Sequence, residues 1–163
     1  YLKRIVEDFL TFAREQKLNA LEMNPAHWVD AAREVLSGEA EGRGVVLTAT
    51  AEAARVNGDV SLLTSALVNL VKNAVQVSKQ GQQVKLTGRS VGTRYVVEVE
   101  DEGPGIPADA LPHIFEPFFT TREKGTGLGL PLARKLLEAH KGTLSVESRP
   151  GRTVFKVELP LLG

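Results

Sequence analysis

The sequence predicts a two-layer α/β sandwich: a mixed, mostly antiparallel sheet with helices on one face. Three observations carry that expectation. Alternating stretches pair around short turns, 83–91 with 93–101 near Gly92, and 142–148 with 153–159 at Pro150-Gly151. Within them Tyr95, Val97 and Val99 share one face, as do Thr153, Phe155, Val157 and Leu159, so these strands bury one side only. Several stretches elsewhere repeat apolar residues at three- and four-residue steps, the mark of helices with one apolar side.

The elements follow in order. In residues 1–17, Leu2, Ile5, Phe9 and Phe12 form a narrow helical seam. It suits a partner helix, in the same chain or a second subunit; packing on the domain itself is the alternative. Residues 18–26 read as a linker ending at Asn24-Pro25. His27 to about Glu41 is helical, stopped by Gly42 and Gly44. Val45–Thr50 reads as a strand and Ala54–Asn57 as a second, short one. Asp59 can cap a helix running to about Lys79, with Gly81 as its stop. On a wheel of ~100° per residue, Leu63, Leu67, Leu70, Val71 and Ala74 form its core side. Asn69, Asn73 and Gln76 cluster elsewhere on it, with Lys72 beside them. Residues 102–126 form a long loop, a length that in a compact domain marks a functional lid or a disordered segment. Leu128 to about His140 is a helix, with Pro131 in its first turn, where a missing N–H costs little.

Composition bounds the function. The 163 residues suffice for one compact domain with a short appendage. Twenty basic and twenty acidic residues cancel, so no global charge draws the chain to nucleic acid or an anionic membrane. There is no cysteine, which excludes disulfides and thiolate metal sites. His27, His113 and His140 have no metal-ligand spacing and read as structural. No apolar run approaches the ~20 residues of a membrane span, and no signal peptide opens the chain. Tyr1 falls inside a helical pattern, so the expectation is a piece of something longer.

Three segments carry the chemistry. Asparagine is a weak helix former, so Asn69 and Asn73, one turn apart, ask for a reason. They can offer amide oxygens to a magnesium–phosphate group, or they line a solvated helix face. Asp101 ends a strand on its inward side, where a carboxylate is costly unless hydrogen-bonded; a ligand amino group such as that of adenine would satisfy it. The run Asp101-Glu-Gly103-Pro-Gly105-Ile106 is equally good turn chemistry. Gly125-Thr126-Gly127-Leu128-Gly129-Leu130 opens a helix, where free N–H groups and the dipole favour phosphate. Its spacing matches neither the dinucleotide fingerprint nor the Walker pattern.

Taken together, in this order, the segments resemble the ATP-binding domain of sensor histidine kinases, within the superfamily shared with type II topoisomerase, mismatch-repair and heat-shock chaperone ATPases. Asn69-Leu-Val-Lys-Asn73-Ala is similar to that family's N box, and Asp101–Ile106 to its first glycine box. Phe115-Glu-Pro-Phe-Phe119-Thr-Thr121 is similar to its F box, and Gly125–Leu130 to its second glycine box. The F box wording resembles the nitrogen-regulation and sporulation branch, and the likeness covers about residues 24–160.

The resemblance implies a Bergerat-type fold binding ATP and Mg²⁺. It implies Asp101 on the adenine amine, directly and through water shared with Thr153, beside Gly103, Gly105 and Ile106. Asn73 would supply an oxygen to Mg²⁺, and Asn69 would lie beside the reacting phosphate. Lys72 and Gln76 would flank the phosphates, although Gln76 stands where many members carry a basic residue. Gly125, Thr126, Gly127, Leu128, Gly129 and Leu130 would form the phosphate loop, and Thr120, Thr121, Arg122 and Lys124 would cover the γ-phosphate. Phe115, Phe118 and Phe119 would anchor the lid. Hydrolysing relatives carry glutamate at the position of Asn69; an amide cannot activate water. The implied reaction is therefore phosphoryl transfer to a histidine in a dimerisation and phosphoacceptor hairpin. Residues 1–23 would be the last part of that hairpin plus a linker, and 24–163 the catalytic domain. The acceptor would lie upstream, and the parent would be a cytoplasmic or membrane-anchored homodimer serving a response regulator. A non-catalytic nucleotide-sensing module and an ATPase clamp are the competing readings.

Overall fold

The computed structural model describes residues 2–14, 17–119 and 127–163. The chain runs α1 (Leu2–Ala13), β1 (Leu21–Met23), α2 (Pro25–Gly42), β2 (Val46–Ala51), β3 (Val56–Gly58), α3 (Val60–Val77), β4 (Gln83–Val91) and β5 (Arg94–Asp101). A short 3-10 turn at Leu111–His113 follows, then α4 (Gly129–Ala139), β6 (Thr143–Arg149) and β7 (Arg152–Pro160).

Five strands form one sheet in the order β2-β4-β5-β7-β6. β2 and β4 are parallel; every other neighbouring pair is antiparallel. The register lines inward residues into rows across the sheet. Leu86, Val99, Phe155 and Val146 make one row, and Gly88, Val97, Val157 and Leu144 another. The last row, at the end where β5 finishes, is Val84, Asp101, Thr153 and Ser148. The inward face is therefore apolar until its final row, where it becomes polar.

Helices α2, α3 and α4 cover this face, with α3 in contact with both others. The core joins Trp28 of α2, Leu63, Leu67 and Leu70 of α3 and Leu136 of α4 to Phe155 of the sheet. The other face meets water and carries exposed ion pairs, Arg89–Glu98 at 3.6 Å and Arg152–Glu100 at 3.1 Å. The expected two-layer sandwich is thus the observed one. Among the described residues α3 is the one helix long and apolar enough to cross a bilayer, and its apolar side is spent on the core.

Local chemistry sets the helix ends. Asn24 caps α2 by accepting from the Ala26 N–H, with Pro25 in the first turn. Asp59 caps α3, as expected, by accepting from the Leu62 N–H at 3.1 Å. Its second oxygen accepts from the Asn19 N–H at 3.0 Å, which ties the segment before β1 to the domain. His140, at the end of α4, ties that helix to the start of α3: its Nε2 accepts from the Asp59 N–H at 3.0 Å, and Nδ1 meets Leu136 O at 2.7 Å. A structural histidine is what the sequence led us to expect there.

Two expectations change. Residues 18–26 are not all linker, because Leu21–Met23 pairs antiparallel with β3. Three residues are too few to show a period, and Glu22 owes its place to a two-point contact with Arg55 across the pair. The helix before Gly81 also stops earlier, at Val77 with Ser78 as its cap, rather than at Lys79. Helix α1 has no buried residue. Its C-terminal half leans on the domain, where Lys135 Nζ bonds to Phe12 O and Arg14 O and lies over the Phe12 ring.

Candidate nucleotide site

The polar last row of the sheet forms one end of the site. Asp101 is 1% exposed and Thr153 4% exposed, and they face each other across β5 and β7. The Gly103 N–H donates to Asp101 Oδ1 at 2.9 Å, and among the described residues no hydrogen bond engages Oδ2. Burial pushes the Asp101 carboxyl up to about 6 from an ordinary 3.8; the Gly103 N–H opposes the shift and the neighbouring Glu100 charge adds to it. The segment after Asp101 is zipped to the β6–β7 turn. Gly151 N–H donates to Gly103 O at 3.0 Å, and Ile106 N–H to Ser148 Oγ at 2.8 Å. Between them Gly105 takes φ 85°, and a Cβ there would stand 2.6 Å from Arg149 O. Only glycine fits that approach.

Ser148 was missed in the sequence. It shares a hydrogen bond of 2.7 Å with Thr153 Oγ1. The signal was present: period two from Leu144 and Val146 carries the inward face to Ser148. Val77 was missed as well; it closes the same end, its carbonyl 3.1 Å from where a Gly103 Cβ would be. No periodicity reports a backbone carbonyl.

The other end lies up α3. Asn69, Lys72, Asn73 and Gln76 are all half-buried on the side of α3 away from its core residues, as the wheel required. Among the described residues no hydrogen bond engages the Asn69 or Asn73 amides. Asn69 Oδ1 faces the start of α4, 3.8 Å from the place a Gly129 Cβ would occupy. Among the described residues no side chain caps α4. Pro131 has no N–H, and Leu132 N–H is already bonded to Leu128 O, so among the described residues Gly129 and Leu130 are the first-turn N–H groups with no bonded acceptor in this 11-residue helix. From Asn69 to Val77 the helix rises about 12 Å, which separates the phosphate-like end from the base-like end.

The loop after β5 is held by its aromatics. Phe115 meets Phe155 edge-on, centroids 6.4 Å apart, with the Arg134 guanidinium over its outer side. Phe119 tilts against His113, and Phe118 stacks on Phe9 of α1. The expected anchoring to the core and to a preceding helix is what the structure has. Phe118 N–H donates to Gly127 O at 2.9 Å, so the described ends of the loop meet. Gly127 takes φ 75°, and a Cβ there would strike the Phe118 backbone at 2.4 Å. The candidates Thr120, Thr121, Arg122, Lys124, Gly125 and Thr126 lie outside the described residues.

A buried carboxylate lies at one end of α3, and Asn69 lies beside the start of α4 at the other. Residues 58–163 match the family of histidine kinase-, DNA gyrase B- and HSP90-like ATPases, and the chain belongs to that family. Within it, the likeness runs to sensor histidine kinases. The sensory histidine kinase/phosphatase NtrB of Rhodobacter capsulatus is 44% identical over 117 residues, covering 64% of this chain and 33% of that protein. The full-length structure of ShkA in complex with AMPPNP superposes with a TM-score of 0.88 at 28% identity, covering 98% of this chain and 36% of that one. Histidine kinase ThkA, solved in complex with the response regulator protein TrrA, superposes at 0.84 with 29% identity, covering 99% and 47%. The chain spans only about a quarter and a third of the first two curated relatives.

Proposed function

We propose that residues 24–163 are the ATP-binding catalytic domain of a sensor histidine kinase, transferring the γ-phosphoryl group of ATP to a histidine on a dimerisation and phosphoacceptor hairpin. Residues 1–23 are the end of that hairpin's second helix with its linker. The observation that carries the reading is Asn69, whose amide oxygen lies beside the first turn of α4, 3.8 Å from the place a Gly129 Cβ would occupy.

Asp101 and Thr153 receive the adenine, with Gly103, Gly105 and Ile106 forming the wall beside it. Gly129 and Leu130 donate to phosphate oxygens, and Gly127 and Leu128 lead into them. Asn69 and Asn73 suit Mg²⁺ as hard oxygen donors. The described residues hold no cluster of three or more metal-binding side chains, which fits an ion held by one protein oxygen and the phosphates themselves. When bound, Mg²⁺ neutralises phosphate charge. An amide at position 69 can orient the γ-phosphate but cannot take a proton from water, so this chain positions a phosphate for a nucleophile supplied elsewhere. Lys72, Gln76, Thr120, Thr121, Arg122, Lys124, Gly125 and Thr126 complete the phosphate side of the proposal.

The parent protein is a homodimer that acts on a response regulator and works in the cytoplasm. Support comes from the exposed apolar residues of α1, Leu2, Val6, Phe9 and Leu10, and from the regulator seated on ThkA. Incubating the chain with a supplied hairpin domain and γ-labelled ATP tests the reading. Label on a hairpin histidine is the expected result. Nucleotide binding without transfer would instead make it a sensing module, and steady hydrolysis without transfer an ATPase clamp.

A further inference from the structure

The last row of the sheet holds one more polar side chain than adenine binding by Asp101 and Thr153 needs. Ser148 sits beside Thr153 in that row, half-buried, on the neighbouring strand. Its Oγ already accepts from the Ile106 N–H at 2.8 Å, which anchors the end of the first glycine segment. Its Oγ is also 2.7 Å from Thr153 Oγ1.

Either hydroxyl of the Ser148–Thr153 pair can be the donor, and the surroundings favour one order. A serine oxygen has one proton to give. Among the described residues the acceptor in reach of Ser148 is Thr153 Oγ1. With Ser148 donating there, the Thr153 proton is free to point into the site. In the opposite order Thr153 spends its proton on Ser148, and the Ser148 proton has no acceptor among the described residues, a loss for a half-buried hydroxyl. The chain of donors therefore runs from Ile106 N–H to Ser148 to Thr153 and ends on a free O–H next to the Asp101 carboxylate. The row presents an acceptor and then a donor. Adenine offers the complement, a 6-amino donor beside the N1 acceptor. Guanine offers the reverse, a 6-carbonyl beside N1–H.

We propose that Ser148 is a positioning residue for base selectivity, holding the Thr153 hydroxyl as a donor so that the site accepts adenine and rejects guanine nucleotides. This rests on the nucleotide-site reading above and deepens it. Ser148 touches no ligand in this account; it acts through Thr153 and Ile106.

Calorimetric titration of the chain with ADP and with GDP tests the inference, using S148A, the near-isosteric S148C and the hydroxyl-keeping S148T. Loss of one hydrogen bond of ordinary strength predicts ADP affinity about fivefold weaker in S148A and S148C. GDP affinity is expected to stay level or rise, so the ADP-to-GDP ratio narrows by at least that factor, and S148T is expected to restore it. A purely structural role, loosening the Ile106 segment, would weaken both nucleotides alike and leave the ratio unchanged in both S148A and S148C; that result overturns the proposal. D101N separates this failure from that of the site itself. If the wild-type chain binds ADP, D101N loses it and the S148A ratio is unchanged, only the Ser148 inference falls. If the wild-type chain binds no ADP, both fall.

Discussion

Replacing Asp101 by asparagine is expected to weaken the ligand complex without weakening the fold. The carboxyl is 1% exposed and raised to about 6 from 3.8, chiefly by burial. A shift of about two units corresponds to about 3 kcal/mol between the two protonation states. The direction follows from proton counting. Between about pH 4 and pH 6 the native state holds the Asp101 proton while the unfolded chain has lost it, so stability declines as pH rises through that window. At pH 7 the ionised carboxylate is a cost to the apo fold. The amide of D101N would still accept from the Gly103 N–H but would bury an NH₂ in place of a charge, which takes back part of the gain. The net expectation at pH 7 is an apo D101N that is roughly 0–2 kcal/mol more stable than wild type. Its stability should also lack the fall between about pH 4 and pH 6. ADP affinity should drop more than about tenfold, since a charge-assisted hydrogen bond of roughly 1.5–3 kcal/mol is lost. Urea denaturation across pH and calorimetry with ADP measure the two halves. A D101N that is markedly less stable at pH 7 would show the carboxylate to be a structural brace. Unchanged ADP affinity would remove Asp101 from the site.

Other outcomes are open to the same kind of measurement. Asn73→Ala should reduce ATP affinity measured with Mg²⁺ to about the value that EDTA gives for the wild type; a variant that keeps its full Mg²⁺ response would take Asn73 out of the metal's coordination. Gly88→Ala should cost about 1–3 kcal/mol in urea denaturation while the glycine segments stay intact. The added Cβ would fall 2.4 Å from Tyr95 Oη and disturb its 2.8 Å bond to Glu52 O, and unaltered stability would mean the Tyr95 ring shifts freely.

Much of the site was legible in the sequence because its residues break local rules. Asn69 and Asn73 are poor helix formers on a helix, Asp101 is a charge on an inward strand position, and a glycine run opens α4. Each violation is local, so a wheel or a period of two exposes it. Ser148, Val77 and β1 break no local rule. A serine in a strand is unremarked until the register places it beside Thr153, and a carbonyl at the end of α3 has no sequence signature. Three residues of β1 are held by β3 and by the Arg55–Glu22 pair, more than thirty positions away.

The sequence by itself determined the two-layer fold class, the buried side of α3, and the inward parity of Asp101 and Thr153. Those are properties of spacing, and spacing is carried by the chain. Only the tertiary structure decided which of these groups meet. The β5–β7 register puts Asp101 opposite Thr153, and α3 packed against α4 places Asn69 beside the start of that helix. The β6–β7 turn, pressed against Gly103 and Gly105, brings Ser148 to Ile106. Such contacts join residues tens of positions apart, and they exist only once burial of the shared core has fixed the strands and helices against one another.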